Sequence, residues 1–404
     1  MQAVTGKQAA GIGAAVGVAV ALVAGSVLLG KGPARIAAKD LRDETVVAQL
    51  QNSAKPYPAE LQAMLRATRA NPDDLLAAKA AASALIAEGR AAGDSRLVGA
   101  ASGVLQPFMK TPDVETLNLV ATVRQYQHDF NGALRLLDQS IQREPGNATA
   151  LLDRATIQIV LGRFDLALQD CQSLSQLARP DIGFLCQSTA LLLTKNASIV
   201  RDRLQRILET PGLLDPSLTG WATGLLGEIA KLQGDIPQAK ARFVEVIKAD
   251  PLALRERLLL ADLLLDEKSG RAVLTLLSEA PDVDGVLIRR VLAARLIGDE
   301  SLARKDTTEL ERRFRLNLDL GLTAHAREEA RYFLEIAGNP QLALARAEVN
   351  WKLQHEFEDA QLLIDCAVAA GDPSKAVPVL LWINEQSVEV ASLRIPDAVR
   401  KAAQ

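Results

Sequence analysis

Aromatic residues make up only 3% of this 404-residue chain, and it has three cysteines and three histidines. Each shortage excludes something. Three thiols cannot build a disulfide-dense scaffold or a four-thiolate metal site. His128, His325 and His355 are far apart, and no HExxH, CxxC or GxSxG string occurs. A metal site would need three or four ligands brought together from separate segments. Carboxylates are plentiful, but abundance does not pair a general acid with a base. The chain therefore reads as a non-enzyme with no catalytic residue, cofactor or metal ligand. Lys and Arg total 46 against 49 Asp and Glu, a net charge of -3, so the basic field that a nucleic-acid partner requires is missing. Runs of β-branched residues are also scarce. Alanine and leucine dominate instead, and both have high helix propensity, which points to an all-α protein.

What is present is a period. Ala121 and Ala155, Phe130 and Phe164, and Ala133 and Ala167 each stand 34 residues apart, and Pro145 closes the first of the two units. In both units an amphipathic segment meets a short turn, then an aromatic residue, then an alanine three positions on. Small residues at these alanines let two antiparallel helices approach closely, and the phenylalanines fill the space beside the turn. A heptad repeat would show period 7 without turns every 12–15 residues. The same ruler recovers Gly234, Ala239, Phe243 and Pro251 strongly. Weaker units follow at Gly298 with Ala303, Gly338 with Ala343 and Gly371 with Ala376. Arg201 replaces a small residue, and residues 305–323 fit worst. The reading gives nine or ten helical pairs over residues 57–395, stacked by neighbour contacts, with 396–404 as a tail.

The 34-residue spacing resembles the tetratricopeptide repeat, although the consensus Trp and the first consensus Gly are missing. Most of the chain, roughly residues 57–390, resembles bacterial exported or membrane-anchored tetratricopeptide proteins of undefined role. The likeness is clearest over 128–145, 162–186 and 330–378. It implies a right-handed α-solenoid outside the cytoplasm whose concave face, lined by the first helix of each pair, binds an unidentified protein or peptide. Transferring the groove positions selects Asn118, Thr122, Gln125 and Tyr126 in one unit. In later units it selects Arg255, Asp262 and Asp266, then His325, Glu328, Tyr332 and Glu335. The basic clamp that some relatives use for a partner's terminal carboxylate is not reproduced. Trp221, at the start of a helix on the concave side, is a further binding candidate. Trp351 and Trp382 read as plugs between adjacent helices, and His128 reads as a solvated turn residue.

The amino-terminal region has a different character. After a short tail at 1–8, residues 9–30 carry no charge and are long enough to span a bilayer as a helix. An uncleaved inner-membrane anchor is favoured over a cleaved signal segment because the apolar run continues past Ser26 to Gly30. Either reading places the repeats in the periplasm. Gly13 and Gly17 form a small-residue face through which two anchors could self-associate. The nearby GSVLLGK string lacks the Ser or Thr of a phosphate loop and follows no strand pattern, so it is rejected. Residues 31–56 read as a stalk or an atypical first helix.

Cys171 and Cys186 flank one inter-repeat turn. An exported protein could bridge them or bury both reduced, and both states stay open at this stage. Cys366 reads as a free core thiol. The leading function is an envelope scaffold that holds its partner on the concave face. The alternative is a structural or assembly component that uses its convex side or ends. A hydrolase with an unrecognised carboxylate site is the remote third.

Overall fold

The structure, a computed structural model, describes residues 57–404 apart from Ala178 and Leu320. The expected tail, anchor or signal segment, self-association face and stalk of residues 1–56 lie outside the described residues. Among those described, no helix is long and apolar enough to cross a membrane.

Twenty α-helices follow one another with no β-ladder among the described residues. A single helix α1 (Ala59–Ala70) precedes nine hairpins. These pair α2 (Leu75–Ala92) with α3 (Ser95–Leu105), α4 (Val114–Tyr126) with α5 (Phe130–Arg143), and α6 (Ala148–Val160) with α7 (Phe164–Gln176). Next come α8 (Pro180–Leu191) with α9 (Ala197–Glu209), α10 (Thr219–Leu232) with α11 (Ile236–Ala249), and α12 (Leu254–Asp266) with α13 (Gly270–Leu276). The last three pair α14 (Asp284–Ile297) with α15 (Glu300–Asp319), α16 (Ala326–Arg331) with α17 (Pro340–Trp351), and α18 (Phe357–Ala369) with α19 (Val377–Glu385). A π-helical turn, Tyr332–Ile336, extends α16. The stretch expected as a tail carries α20 (Asp397–Ala402), whose Val399 is fully buried.

Local chemistry sets these boundaries. Asp74, Asp113, Asp129, Asn147, Asp235 and Asn339 each accept a hydrogen bond from an early backbone N–H of the helix they precede. A short oxygen-bearing side chain there satisfies a donor that no intrahelical carbonyl can reach. Within most hairpins the turn needs one residue in the left-handed region. Glycine supplies it at Gly93, Gly162, Gly234, Gly298, Gly338 and Gly371, while His128 and Lys268 supply it at φ 58 each. Inside the hairpins, Ala121, Ala133, Ala155 and Ala167 are almost fully buried, with Phe130 and Phe164 beside them, as the spacing predicts.

The array then meets itself. Turns within early hairpins dock on turns between later ones. Gly93 lies against Val283 and Pro281, Gly162 against His355 and Trp382, and Thr194 pairs with Val388 in an isolated antiparallel bridge. His355 donates its backbone N–H to Val160 (2.7 Å) and its Nδ1–H to the Leu161 carbonyl (2.9 Å), which is 194 residues away. The first helical residue of α7, Phe164, follows Arg163, which makes no side-chain cap, and the Phe164 N–H is taken by Gln386 Oε1 from the last hairpin. Downstream, the N–H groups of Glu389 and Ser392 donate to the carbonyls of Leu193 and Leu232. One contiguous apolar cluster runs from Leu151 to Val399.

Two single-residue expectations change as a result. Trp382 fills the seam between turns remote in sequence, packing on Phe164, Trp351 and His355. His128 is only half exposed. Its ring stacks on Phe130 and its Nδ1 is buried, with the imidazole pKa pushed down to about 3 by burial and by His325 and Arg327 of the later turn.

Cys171 on α7 and Cys186 on α8 form a disulfide, with Cα atoms 5.4 Å apart, inside the range such a bridge requires. Cys366 is a buried free thiol whose pKa burial pushes up to about 12.

The seam can be tested at its glycines. Gly162 and Gly234 both have positive φ, but a Cβ on Gly234 meets nothing within 4 Å, whereas one on Gly162 clashes with Trp382 and lies 2.9 Å from His355 Cβ. Gly234→Ala should cost about 1–2 kcal/mol for the left-handed backbone, and Gly162→Ala about 1–3 kcal/mol more from overpacking. Equal unfolding midpoints for the two variants would contradict the seam. For the thiols, alkylation of unfolded, unreduced protein should add one label per chain and alkylation after reduction three, read by intact mass. Replacing both Cys171 and Cys186 with Ala should cost up to about 3 kcal/mol by the loop-entropy model.

Candidate functional site on the concave face

The first helices of the hairpins face inward, and because the array closes on itself their surface bounds a cavity of about 640 Å³. Most of the wall is aliphatic, from Leu192, Leu225, Leu232 and Leu254 among others, with aromatic rings from Tyr126, Trp221 and Phe357. A smaller pocket of about 70 Å³ adjoins it along Leu254, Arg255 and Glu358.

The charged side chains on this surface are mostly committed to one another. Arg255 meets Glu228 at 2.6 Å and Glu356 at 3.8 Å, and Arg327 meets Glu356 at 2.5 Å and Asp359 at 2.6 Å. Asp262 receives both Arg289 and Arg331, and Arg331 also reaches Glu335 at 2.8 Å. Lys231 meets Glu358 at 2.6 Å and lies over the Phe357 ring. Burial works against the charged forms, but the opposite charges win at several positions. Lys231 and Arg255 hold Glu358 well below the usual carboxylate range, and Asp359 with Glu356 raises Arg327. At Asp359 burial dominates and pushes the carboxyl up to about 6. Pairs this enclosed need each other, since removing one partner leaves an uncompensated charge.

The residues selected from the sequence divide into groups. Tyr126, Trp221 and Arg255 line the cavity, and Arg255, Asp262 and Glu328 line the smaller pocket. The Trp221 indole N–H donates to Thr189 Oγ1 at 3.2 Å. Asn118 instead turns into its own hairpin, where its Oδ1 accepts from Ser140 at 2.6 Å. Gln125 is buried, and the half-buried Thr122 hydroxyl donates to the Asn118 carbonyl. His325 is buried against Asp284 at 3.0 Å, and the buried Tyr332 donates its hydroxyl to Glu311 at 3.1 Å. Asp266 and Glu335 are exposed and line neither cavity. The reason is geometric: a helix packed on both sides shows the groove only a narrow stripe at i, i+3, i+4 and i+7. Sequence reading missed Glu228, Lys231, Arg289, Arg327, Arg331 and Glu358. Such a stripe was readable in Glu228 and Lys231 and in Arg255 and Asp262, but those units match the period without a second signal for their inward face. Among the described residues, no group of three His, Cys, Asp or Glu is placed to hold a metal ion.

Glu328 gives the site a measurable pH dependence. Burial raises its carboxyl from 4.5 to about 7, with Arg327 and His325 opposing and Asp284 assisting. The folded state then holds a proton that the unfolded state has released, so this group's contribution to stability falls as pH rises from 4.5 to 7. Glu328→Gln should be close to neutral below pH 4.5 and should stabilise by roughly 3 kcal/mol above pH 7. Urea unfolding of both proteins across that range checks it; a pH-independent difference would remove the assignment.

The tetratricopeptide repeat family matches residues 126–181. No curated protein matches the chain. Solved structures with a similar arrangement include yeast Tom70, at 14% identity over 85% of this chain and 83% of that one with a TM-score of 0.38. The APC/C hetero-tetramer Cut9-Hcn1 matches at 13% identity over 81% and 68% with a TM-score of 0.40. The P58(IPK) TPR domain matches at 15% identity over 68% and 84% with a TM-score of 0.25. Likeness at this level transfers no partner to this chain. Its architecture is an all-α array of paired hairpins of tetratricopeptide type, matched as such across residues 126–181.

Proposed function

We propose that this chain is a non-enzymatic scaffold that holds a protein or peptide segment in the concave cavity. The observation that carries this reading is the cavity itself. It is a concave space bounded by helices from early and late hairpins, largely apolar, and furnished with Tyr126, Trp221 and Phe357 beside fixed charged groups. Binding sites have this composition: apolar walls for affinity, and a few placed polar groups for orientation. Aromatic residues in such positions contribute disproportionately to protein interfaces. The disulfide between Cys171 and Cys186 supports a location outside the reducing cytoplasm. That agrees with reading residues 9–30 as an anchor or signal segment and the array as periplasmic.

Crosslinking in intact cells, followed by identification of captured partners, tests this proposal. Tyr126→Ala combined with Trp221→Ala should reduce capture of a specific partner at least tenfold while leaving the unfolding transition cooperative. Capture that survives both changes and disappears when the terminal helix α20, which lines neither cavity, is removed would move the function to the chain's end and favour the assembly reading.

A further inference from the structure

The ion pairs described above leave the cavity's charge unbalanced. Five carboxylates line it, from Glu228, Asp250, Glu256, Glu356 and Glu358, against Arg90, Lys231 and Arg255, and Glu356 is also held by Arg327 from beyond the wall, which leaves Asp250 and Glu256 without an ion pair among the described residues. Burial lowers the pKa of the one imidazole on its wall, His355, whose ring Nδ1–H is taken by the Leu161 carbonyl. Lys231 and Arg255 are held by Glu358, Glu228 and Glu356. Glu256 has no ion-pair partner among the described residues. Its carboxylate lies over the bare backbone of α10, where a Cβ on Gly224 would be 3.0 Å from Glu256 Oε1. Gly220, one turn earlier, meets nothing within 4 Å. Between them stands Trp221, fixed through Thr189 and lining the same wall. The two glycines thus leave a slot in the helix surface, with an indole on its border and an unpaired carboxylate over its end.

We infer that the segment held in the cavity presents a basic side chain, Lys or Arg, to this slot, with the aliphatic stem along Trp221 and Gly220 and the cationic head at Glu256. The inference rests on the proposed function and narrows the partner to a segment that is apolar apart from at least one basic residue. The choice of cation follows from charge complementarity. A cation in the slot gains a charge-assisted hydrogen bond to a carboxylate that has no ion-pair partner among the described residues. An anion there would face Glu256, Glu228 and Asp250 together. Long basic side chains also suit a wall that is apolar along its length and charged at its end. Burial and the crowding of Glu228 and Asp250 raise the Glu256 pKa, with only Arg255 opposing among the charged groups around it. A bound cation would relieve that crowding.

The test uses the full-length protein and a fluorescein-labelled panel of short leucine-rich peptides that differ at one central residue: Lys, norleucine or Glu. Fluorescence anisotropy should give the Lys peptide about tenfold tighter binding than the norleucine peptide, and weakest binding for Glu. Glu256→Gln should abolish the preference. Glu256→Lys should reverse it in favour of the Glu peptide. Thermal unfolding of each variant verifies that the array remains folded, and Gly220→Met, a substitution into open space, should narrow the slot and weaken the Lys peptide selectively. Peptides that bind regardless of the central residue would overturn this inference and leave the concave-face reading standing. A Lys preference that survives Glu256→Gln would also overturn it. Failure of every peptide to bind would overturn both.

Discussion

The structure depends on contact between segments nearly 200 residues apart. A stack of helical hairpins is stabilised mainly by nearest neighbours, so it can nucleate anywhere and distant repeats need not touch. Here the turns that follow α6, α8 and α10 meet the segment from His355 to Ser392. The turn at Gly162 has no side chain, and that vacancy admits Trp382 and His355. The His355 backbone and ring then satisfy the carbonyls of Val160 and Leu161, which end α6. Helix termini always leave such carbonyls without intrahelical partners. At this seam, one turn of the array caps another. Gln386 does the same for the N–H of Phe164, where Arg163 makes no side-chain cap.

The closure also changes the meaning of the charged residues. On an open solenoid, Arg255, Arg327 and Asp262 would be solvated groups on a groove wall, where ion pairs contribute little. Within this array they are shielded by protein, and Arg255, Arg289, Arg327 and Arg331 each meet a carboxylate. The chain meets that demand by crossing between hairpins: Lys231 of α10 reaches Glu358 of α18, 127 residues away, and Asp262 of α12 holds Arg331 of α16. These pairs do not favour the fold over an apolar surface of the same shape. They fix which helices can lie beside one another, because a slipped stack would leave buried charges unpaired.

The parts of this structure that were legible in the sequence are those written within one repeat. Ala121, Phe130 and Ala133 recur as Ala155, Phe164 and Ala167, and the packing they imply needs no information from elsewhere. The Asp and Asn caps and the turn glycines belong to the same local grammar. The seam was not legible, because nothing in His355 or Trp382 names Gly162 as its neighbour, and the period alone does not set the curvature of a stack. The inward stripe was legible only in part. Tyr126, Trp221 and Arg255 line the cavity, whereas Asn118 and Tyr332 turn into contacts with neighbouring helices. A one-position error on a helix rotates a side chain by about 100°, enough to move a residue from groove to core.

Closure and occupancy are thermodynamically connected through the cavity wall. The same helix ends serve both: Leu193 and Leu232 line the cavity, and their carbonyls accept the strand-like segment at Glu389 and Ser392. Phe357 and Glu358 line it from α18, immediately after His355 has docked on α6. Opening the seam would therefore separate the two walls. Any occupant that touches both binds the closed array better than the open one, and it stabilises closure by its differential affinity. The converse also holds. A change that loosens the seam without touching the cavity, such as a side chain at Gly162, weakens binding by reducing the fraction of molecules whose walls are in place.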